Sequence, residues 1–465
     1  MALWYDVSDL MHWHLPHLTG IQRSVVGILN GLNTLGMDLK LISFDSKNLT
    51  FRSVEINDLP VEVRQHINIA DIVASDFTDL EIKNKPKQIK KKIKNVIGDD
   101  PIARDLFSNV RDIRAAGISL PKNLIKLLKS RFSEEKSKSA YNSNSNKVYH
   151  LPGKQRNNSI ESPDEEIILS FCATWMVPEH AAAVGSLRKS GVKVVRMIYD
   201  LIPTLKPQWV FEKDEEVFTR WAQALLRESD IILTISEFSK KEIERYCRLE
   251  DIKIPTVEVI RLGDEMSGQQ NDSNTENSSS HLKPSMMPKR PFFLCVSTLD
   301  VRKNHRLLYD AWNIMMSRNP DNCPDLVCVG SKHYFTEDLI REIERNPIVN
   351  SRIHLLQDVN DRELDWYYKN CVATIYPSRY EGWGLPVAES LGYGRICLAS
   401  HATSIPEISE DLPVFFDPLN VYELVELIDR CMQNKAWVKQ KETEIKTNFK
   451  PTSWKKTAQQ IMNTI

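Results

Sequence analysis

Short apolar runs recur along the chain, set apart by longer stretches whose apolar residues fall three or four positions apart. The runs are too short for helices and read as strands, several apolar enough to be covered on both faces. Leu3–Val7 is the first and Leu39–Phe44 the second. Between them Ile21, Val25, Ile28 and Leu32 repeat at a helical period, and Gly36 ends that helix. Strand, helix, strand predicts a parallel sheet. The strand pattern resumes at Ile167–Phe171, Val192–Ile198, Ile231–Ile235 and Val257–Arg261. A second series opens with Phe292–Val296 and continues through Leu326–Val329, Ile353–Leu356, Val372–Tyr376, Ile396–Ala399 and Val414–Phe416. Helices are predicted at Thr336–Glu344, Asp361–Asn370 and Val421–Gln433, with a last one from Trp454 to Ile465. Ser239 and Glu242 have capping-box spacing at the start of another.

Two stretches break the pattern. From Glu81 to about Ser162 the chain turns basic, then Ser/Asn/Lys-rich. Lys83, Lys85, Lys87, Lys90, Lys91, Lys92 and Lys94 accompany Ile89, Ile93, Val96 and Ile97 on one helical face. Pro121–Phe132 repeats the arrangement with Ile125, Leu128 and Phe132. Such faces suit an anionic membrane surface or, equally, an ordinary helix with a solvated lysine side. The second break is a linker from Met266, in which Gln269 to Ser280 holds no apolar residue. The organisation read from this is a domain over residues 1–265 carrying an insertion at about 81–162, a linker over 266–290, a second α/β domain over 291–451, and a helix over 452–465.

Composition adds limits. The chain has 465 residues, enough for two domains, with 42% hydrophobic and 26% charged residues. A formal net charge of −1 argues against a nucleic-acid partner for the whole chain. Eight cysteines without a C-x-x-C pair read as free thiols in a reducing cytoplasm. Asp6 and Asp9 argue against a signal peptide, and no stretch approaches the ~18 apolar residues of a membrane-spanning helix. A cytoplasmic protein, with peripheral membrane contact as an option, is the expectation.

Candidate chemistry concentrates after the strand Val372–Tyr376. Pro377-Ser378 breaks it, and Tyr380-Glu381-Gly382-Trp383-Gly384-Leu385-Pro386 leads into a helix that holds Glu389. Gly382 and Gly384 open backbone conformations and close approach to a ligand. Pro386 suits the first helical position. The free N–H groups and positive dipole end of such a helix suit phosphate. Glu381 and Glu389 do not, and fit the hydroxyl-rich ends of a ligand with phosphates between them, the layout of a sugar nucleotide. Arg302-Lys303, just past Phe292–Val296, could bind a diphosphate or form a solvated turn. Asp200 follows a strand and is either a cleft residue or a helix-capping acid. Gly20 alone reads as a turn. His12, His14 and His17 have a spacing that could hold a metal, but no carboxylate or cysteine completes a set, so they read as a loop.

The stretch Glu381–Glu389 resembles the E-G-F-G-L-P-x-x-E signature of the retaining family 4 glycosyltransferases. Tyr199-Asp200-Leu201-Ile202-Pro203 resembles the family's H-D-L-I-P, with Tyr199 where the family has histidine. Ser297-Thr298-Leu299 with Arg302-Lys303-Asn304 resembles G-T-L-x-x-R-K-N, with Ser297 replacing glycine. Thr19-Gly20-Ile21-Gln22-Arg23 is similar to the N-terminal loop of bacterial mannosyltransferase-like members. The resemblance implies the GT-B fold: two Rossmann-like domains facing across a cleft, donor on the second, acceptor on the first, and a C-terminal helix crossing back. It implies that Arg302 and Lys303 hold the diphosphate and that Glu389 binds the ribose. Glu381 would contact the donor hexose, with Gly382, Trp383, Gly384, Leu385, Thr298 and Tyr199 around the donor and Gly20 and Asp200 facing it. It implies no metal, retention by front-face attack, and GDP-mannose as donor, with UDP-hexoses and dTDP-rhamnose as alternatives. The acceptor would be a lipid-linked or growing glycan of a bacterial surface polysaccharide. The rival class is a non-catalytic sugar-nucleotide-binding subunit of an assembly complex.

Overall fold

The computed structural model of the protein describes residues 2–13, 18, 20–67, 166–265 and 284–465. The basic segments expected between Glu81 and Ser162, His14 and His17, and most of the linker lie outside these residues. The described residues contain two sheets. Strands β1 (Ala2–Asp6), β2 (Leu39–Asp45), β3 (Thr50–Ser53), β4 (Glu166–Ser170), β5 (Lys193–Met197), β6 (Ile231–Thr234) and β7 (Thr256–Val259) run in the order β3-β2-β1-β4-β5-β6-β7. All neighbours are parallel except β2 and β3. Sequence pattern does not reveal β3, because four residues with only Phe51 buried give no recognisable period. Strands β8 (Phe292–Val296), β9 (Asp325–Val329), β10 (Ile353–Leu356), β11 (Ala373–Tyr376), β12 (Cys397–Ser400) and β13 (Val414–Phe416) form a wholly parallel sheet, β10-β9-β8-β11-β12-β13. Numbered within its own sheet this is the order 3-2-1-4-5-6 of doubly wound nucleotide-binding folds.

Several helices position the candidate residues: α1 (Gly20–Thr34), α2 (Glu212–Glu228), α3 (Glu237–Leu249), α4 (His305–Arg318), α5 (Asp361–Asn370), α6 (Leu385–Gly392) and α7 (Trp454–Thr464). In α1 the predicted stripe is real: Val25, Ile28 and Leu32 are fully buried, each contributing roughly 1.5–3 kcal/mol. The Tyr5 hydroxyl ties β1 to this helix by donating to the Val25 carbonyl at 2.6 Å. The cap of α3 differs from expectation. Ser236 is the N-cap, its Oγ accepting from the Ser239 N–H at 3.0 Å, so Ser239 is inside the helix and Glu242 closes no capping box with it. Glu242 instead accepts a hydrogen bond from the Tyr380 hydroxyl.

Helix α7 lies against α1, and glycines make the contact possible. A Cβ on Gly27 would come within 2.3 Å of the Trp454 ring, and one on Gly263 within 2.4 Å. A Cβ on Gly31 would lie 2.2 Å from the Trp454 carbonyl oxygen. Gly27 and Gly263 thus make room for the indole, and Gly31 for the backbone of the same residue. Thr457 Oγ1 donates to the Arg261 carbonyl (2.8 Å), and the Thr452 N–H donates to the buried Asp264 carboxylate (2.5 Å). Gly27→Ala should displace Trp454 and cost roughly 1–3 kcal/mol of stability, measured by urea unfolding; an unchanged midpoint would mean the slot can widen freely.

Candidate active site

In open α/β sheets ligands sit beyond the carboxyl ends of the strands where the order reverses. In the second sheet that point lies between β8 and β11. The turn after β8 carries Arg302 and Lys303, and the loop after β11 carries Glu381, so both predicted motifs meet there. Asp300 begins the first turn, its carboxylate accepting from the Arg302 N–H at 2.8 Å. Asn304 ends it with φ of 61°, a conformation asparagine tolerates better than most residues. Its side-chain amide donates to the carbonyls of Pro377 (3.1 Å) and Pro418 (2.9 Å). The Arg379 N–H donates to the Arg302 carbonyl at 2.9 Å, which sews the two loops together.

Glu381 stands at the junction. One carboxylate oxygen meets Arg302 Nη1 at 2.6 Å. The other accepts from Lys303 Nζ (2.5 Å), Ser378 Oγ (2.6 Å) and the Tyr376 hydroxyl (2.9 Å). The residue is only 6% exposed. Burial alone would raise its pKa, but the two cations and the hydrogen bonds outweigh that and hold it down to about 2. Burial and the neighbouring Arg302 push the Lys303 ammonium below its usual range against the pull of Glu381. Burial works against the Arg302 charge too, yet Glu381 and Asp200 more than offset it. In the sequence Ser378 and Tyr376 read only as a strand break and a strand end. Nothing in their spacing marks a hydroxyl that turns back onto a carboxylate.

The remaining candidates fall on both sides of this junction. Glu389 is buried in α6, one oxygen accepting from the Tyr368 hydroxyl (2.8 Å) and the other paired with Arg23 at 2.9 Å. Arg23 belongs to α1, so this ion pair links the two sheets' helices. Helix α6 starts at Leu385, which makes Pro386 its second residue rather than its first. Gly384 has φ of 133° and needs to be glycine. The constraint on Gly382 is different from the expected ligand approach. A Cβ there would lie 2.9 Å from Asp200 Cβ and 3.0 Å from the Tyr199 carbonyl oxygen, so the chain itself comes close. Trp383 is buried with the Arg261 guanidinium 5.4 Å from its ring centroid. Thr298 is exposed, and Gly20 opens α1 with nothing within 4 Å of where a Cβ would stand.

Asp200 and Tyr199 face the junction from the first sheet. Asp200 accepts from the Ile202 N–H at 3.0 Å, the capping role, while sitting in the field of Arg302 and Lys303. Burial raises its pKa, and Arg302 opposes the rise. Tyr199 donates its hydroxyl to the Phe171 carbonyl (3.1 Å). Both line a cavity of about 270 Å³ with Trp209, Asp214, Arg302 and Tyr334. The Tyr334 hydroxyl donates across it to Asp214 at 2.7 Å. Glu407 reaches over to accept from the Glu237 (2.7 Å) and Phe238 (2.8 Å) N–H groups at the start of α3. Sequence pattern gives no sign of this aromatic cavity, because its walls come from segments far apart in the chain. Among the described residues one group could hold a soft metal ion: the buried Cys295, His305 and Cys328, whose ligand atoms lie within 4.8 Å of one another. None of the three lines the cavity.

Two sheets of this order meeting across polar contacts such as Arg23 with Glu389, the second with cations in the loop after β8 and Glu381 in the loop after β11, form a GT-B architecture. Residues 278–450 match the family model of the glycosyl transferases group 1. A serotype-specific mannosyltransferase of Escherichia coli, WbdA, is 23% identical over 273 residues, 57% of this chain and 32% of the relative. An O-antigen chain mannosyltransferase B of Escherichia coli is 26% identical over 248 residues, 52% of this chain and 63% of the relative. The match thus spans about a third of the first relative's length and less than two thirds of the second's. Among solved structures, a sucrose-phosphate synthase from Thermosynechococcus elongatus superposes with a TM-score of 0.55 at 16% identity, covering 100% of this chain and 98% of that one. A glycosyltransferase from Rickettsia africae superposes with a TM-score of 0.51 at 12% identity, covering 100% and 97%. These likenesses carry the fold.

The junction makes a pH-dependent prediction. A carboxylate lowered to about 2 from its ordinary 4.5 adds stability above the ordinary value, which is lost as pH falls from about 4.5 toward 2. Glu381→Gln leaves two buried cations together, so at neutral pH urea unfolding should show a loss of roughly 3–5 kcal/mol. The gap to the native protein should narrow below about pH 4.5. A gap independent of pH would show that the ionised carboxylate does not hold the pair.

Proposed function

We propose that this protein transfers a hexose from a sugar nucleotide to a glycan acceptor, with retention of configuration and with GDP-mannose as the favoured donor. The observation that carries this reading is the Glu381 carboxylate held between Arg302 and Lys303 at the switch point of a group 1 glycosyl transferase domain. Arginine and lysine there would take the diphosphate, neutralising the charge that grows on the departing nucleotide. Glu381, fixed by four partners, would offer its carboxylate to the hexose, and Glu389 would take the ribose hydroxyls. The start of α6, with the N–H groups of Trp383 to Leu385, would lie against the phosphates. Asp200, from the facing side, would meet the sugar end of the donor. Mannose is supported by the two Escherichia coli relatives, both named as mannosyltransferases.

A lipid-linked or growing glycan of a bacterial surface polysaccharide is the acceptor class consistent with an O-antigen relative. Work at the cytoplasmic face of a membrane fits that acceptor. Among the described residues no helix is long and apolar enough to cross a membrane. UDP-hexoses and dTDP-rhamnose are the alternative donors.

The test is incubation of the pure protein with GDP-, UDP- and dTDP-sugars labelled in the sugar, together with a bacterial lipid-glycan extract. Label should move from GDP-mannose into the glycan. Binding of a sugar nucleotide without any transfer would replace this reading by a sugar-nucleotide-binding subunit. Lys303→Ala removes one charged contact to phosphate and should weaken GDP binding by roughly 1.5–3 kcal/mol in calorimetry; unchanged affinity would remove Lys303 from the phosphate site.

A further inference from the structure

In the sequence Arg23 is only the end of a motif; the structure gives it a specific partner. Its Nη1 lies 2.9 Å from Glu389 Oε1, across the line between the helices of the two sheets. The other Glu389 oxygen accepts from the Tyr368 hydroxyl at 2.8 Å. Each oxygen thus already has a partner, and a vicinal diol reaching Glu389 competes with those partners for the carboxylate. Tyr368 is not the one to leave. It is fully buried in α5, and its ring stacks on Tyr393 with centroids 4.8 Å apart and planes 10° apart. The Arg23 side chain is 39% exposed and hangs on a flexible stem.

We propose that Arg23 is a shared counter-ion, passed from Glu389 to the donor's diphosphate when a nucleotide binds. The inference rests on the reading of Glu389 as the ribose ligand. It goes further by making donor binding an exchange of partners rather than an addition to a prepared surface. The geometry favours it because Glu389 is four residues from the start of α6, about 6 Å along the axis from the N–H groups expected to face phosphate. A ribose seated on Glu389 brings its own phosphates into the neighbourhood that Arg23 already occupies. Guanidinium matches phosphate with two parallel hydrogen bonds, a better partner than one carboxylate oxygen. The exchange also breaks a link between the two sheets and remakes it through the ligand. The side chain therefore opposes ribose that arrives without phosphate and favours ribose that arrives with it. Arg23 is a positioning residue in this scheme, a filter for nucleotides over nucleosides.

Calorimetry on the pure protein with GDP, UDP, guanosine and uridine tests it. In Arg23→Met, nucleoside affinity should rise, by up to about fivefold, because no ion pair has to be broken. The factor by which the diphosphate improves on the nucleoside should fall about tenfold or more, because a charged contact to phosphate is gone. Arg23→Lys should restore part of that factor, lysine being a point charge for phosphate. Nucleoside affinity unchanged or weakened in Arg23→Met, or an unchanged diphosphate factor, overturns the exchange. If the native protein binds none of the four, the sugar-nucleotide reading fails and the exchange with it. If it binds them but Glu389→Gln leaves nucleoside affinity untouched, the ribose assignment alone is wrong, and the exchange falls while the donor class survives.

Discussion

One buried carboxylate between two cations is the constraint on which the carboxyl end of the second sheet depends. Two positive charges next to each other in a water-poor pocket repel, and each loses hydration there. Glu381 makes the arrangement possible, and its own burial is possible only because Arg302 and Lys303 are there. The three residues come from two loops that leave neighbouring strands β8 and β11. Their mutual need therefore fixes the distance between those loops. Asn304 and Ser378 then do what charge cannot: they give the loops directional contacts, amide to carbonyl and hydroxyl to carboxylate. Cations held in this way would meet an anionic ligand without having to be gathered from solvent, which is the general advantage of a preorganised site.

The facing side is built on different physics. There the walls are aromatic, and the polar contacts across the line between the sheets each have a specific partner: Arg23 with Glu389, Tyr334 with Asp214, Glu407 with the start of α3. Gly382 sets how near the halves come, because its missing side chain is what lets the loop reach Tyr199 and Asp200. The charge cluster within the second sheet and the single polar links between the sheets are thus two different kinds of contact.

Much of the fold was legible because parallel strands covered on both faces leave short, dense apolar runs. The run Ile353–Leu356 and the stripe Val25, Ile28, Leu32 coincide with the strand and helix found. β3 was not legible, being an edge strand with one buried residue. The motifs placed Arg302, Lys303, Glu381 and Glu389 near strand ends, and the structure brings the first three into direct contact. What spacing could not supply was partnership. Arg23 pairs with a residue 366 positions away, and Ser378 acts through a hydroxyl that looked like a chain break. Gly382 suggested close approach, and the loop of Tyr199 and Asp200 is what comes near it in the structure. Local pattern reports which face is buried; it does not report what lies on the other side.

The slot that Gly27, Gly31 and Gly263 leave for Trp454 has a meaning for the order in which the molecule is made. All three glycines belong to segments that leave the ribosome long before Trp454 does, with the whole second sheet in between. Until then the outer face of α1 has a groove with nothing in it, and the helix layer over the first sheet is incomplete. Contacts that close such long loops form late. The first sheet is therefore finished by a helix that follows the second sheet in the chain, so the two halves are not independent in assembly, and one hydrophobic cluster runs through residues of both.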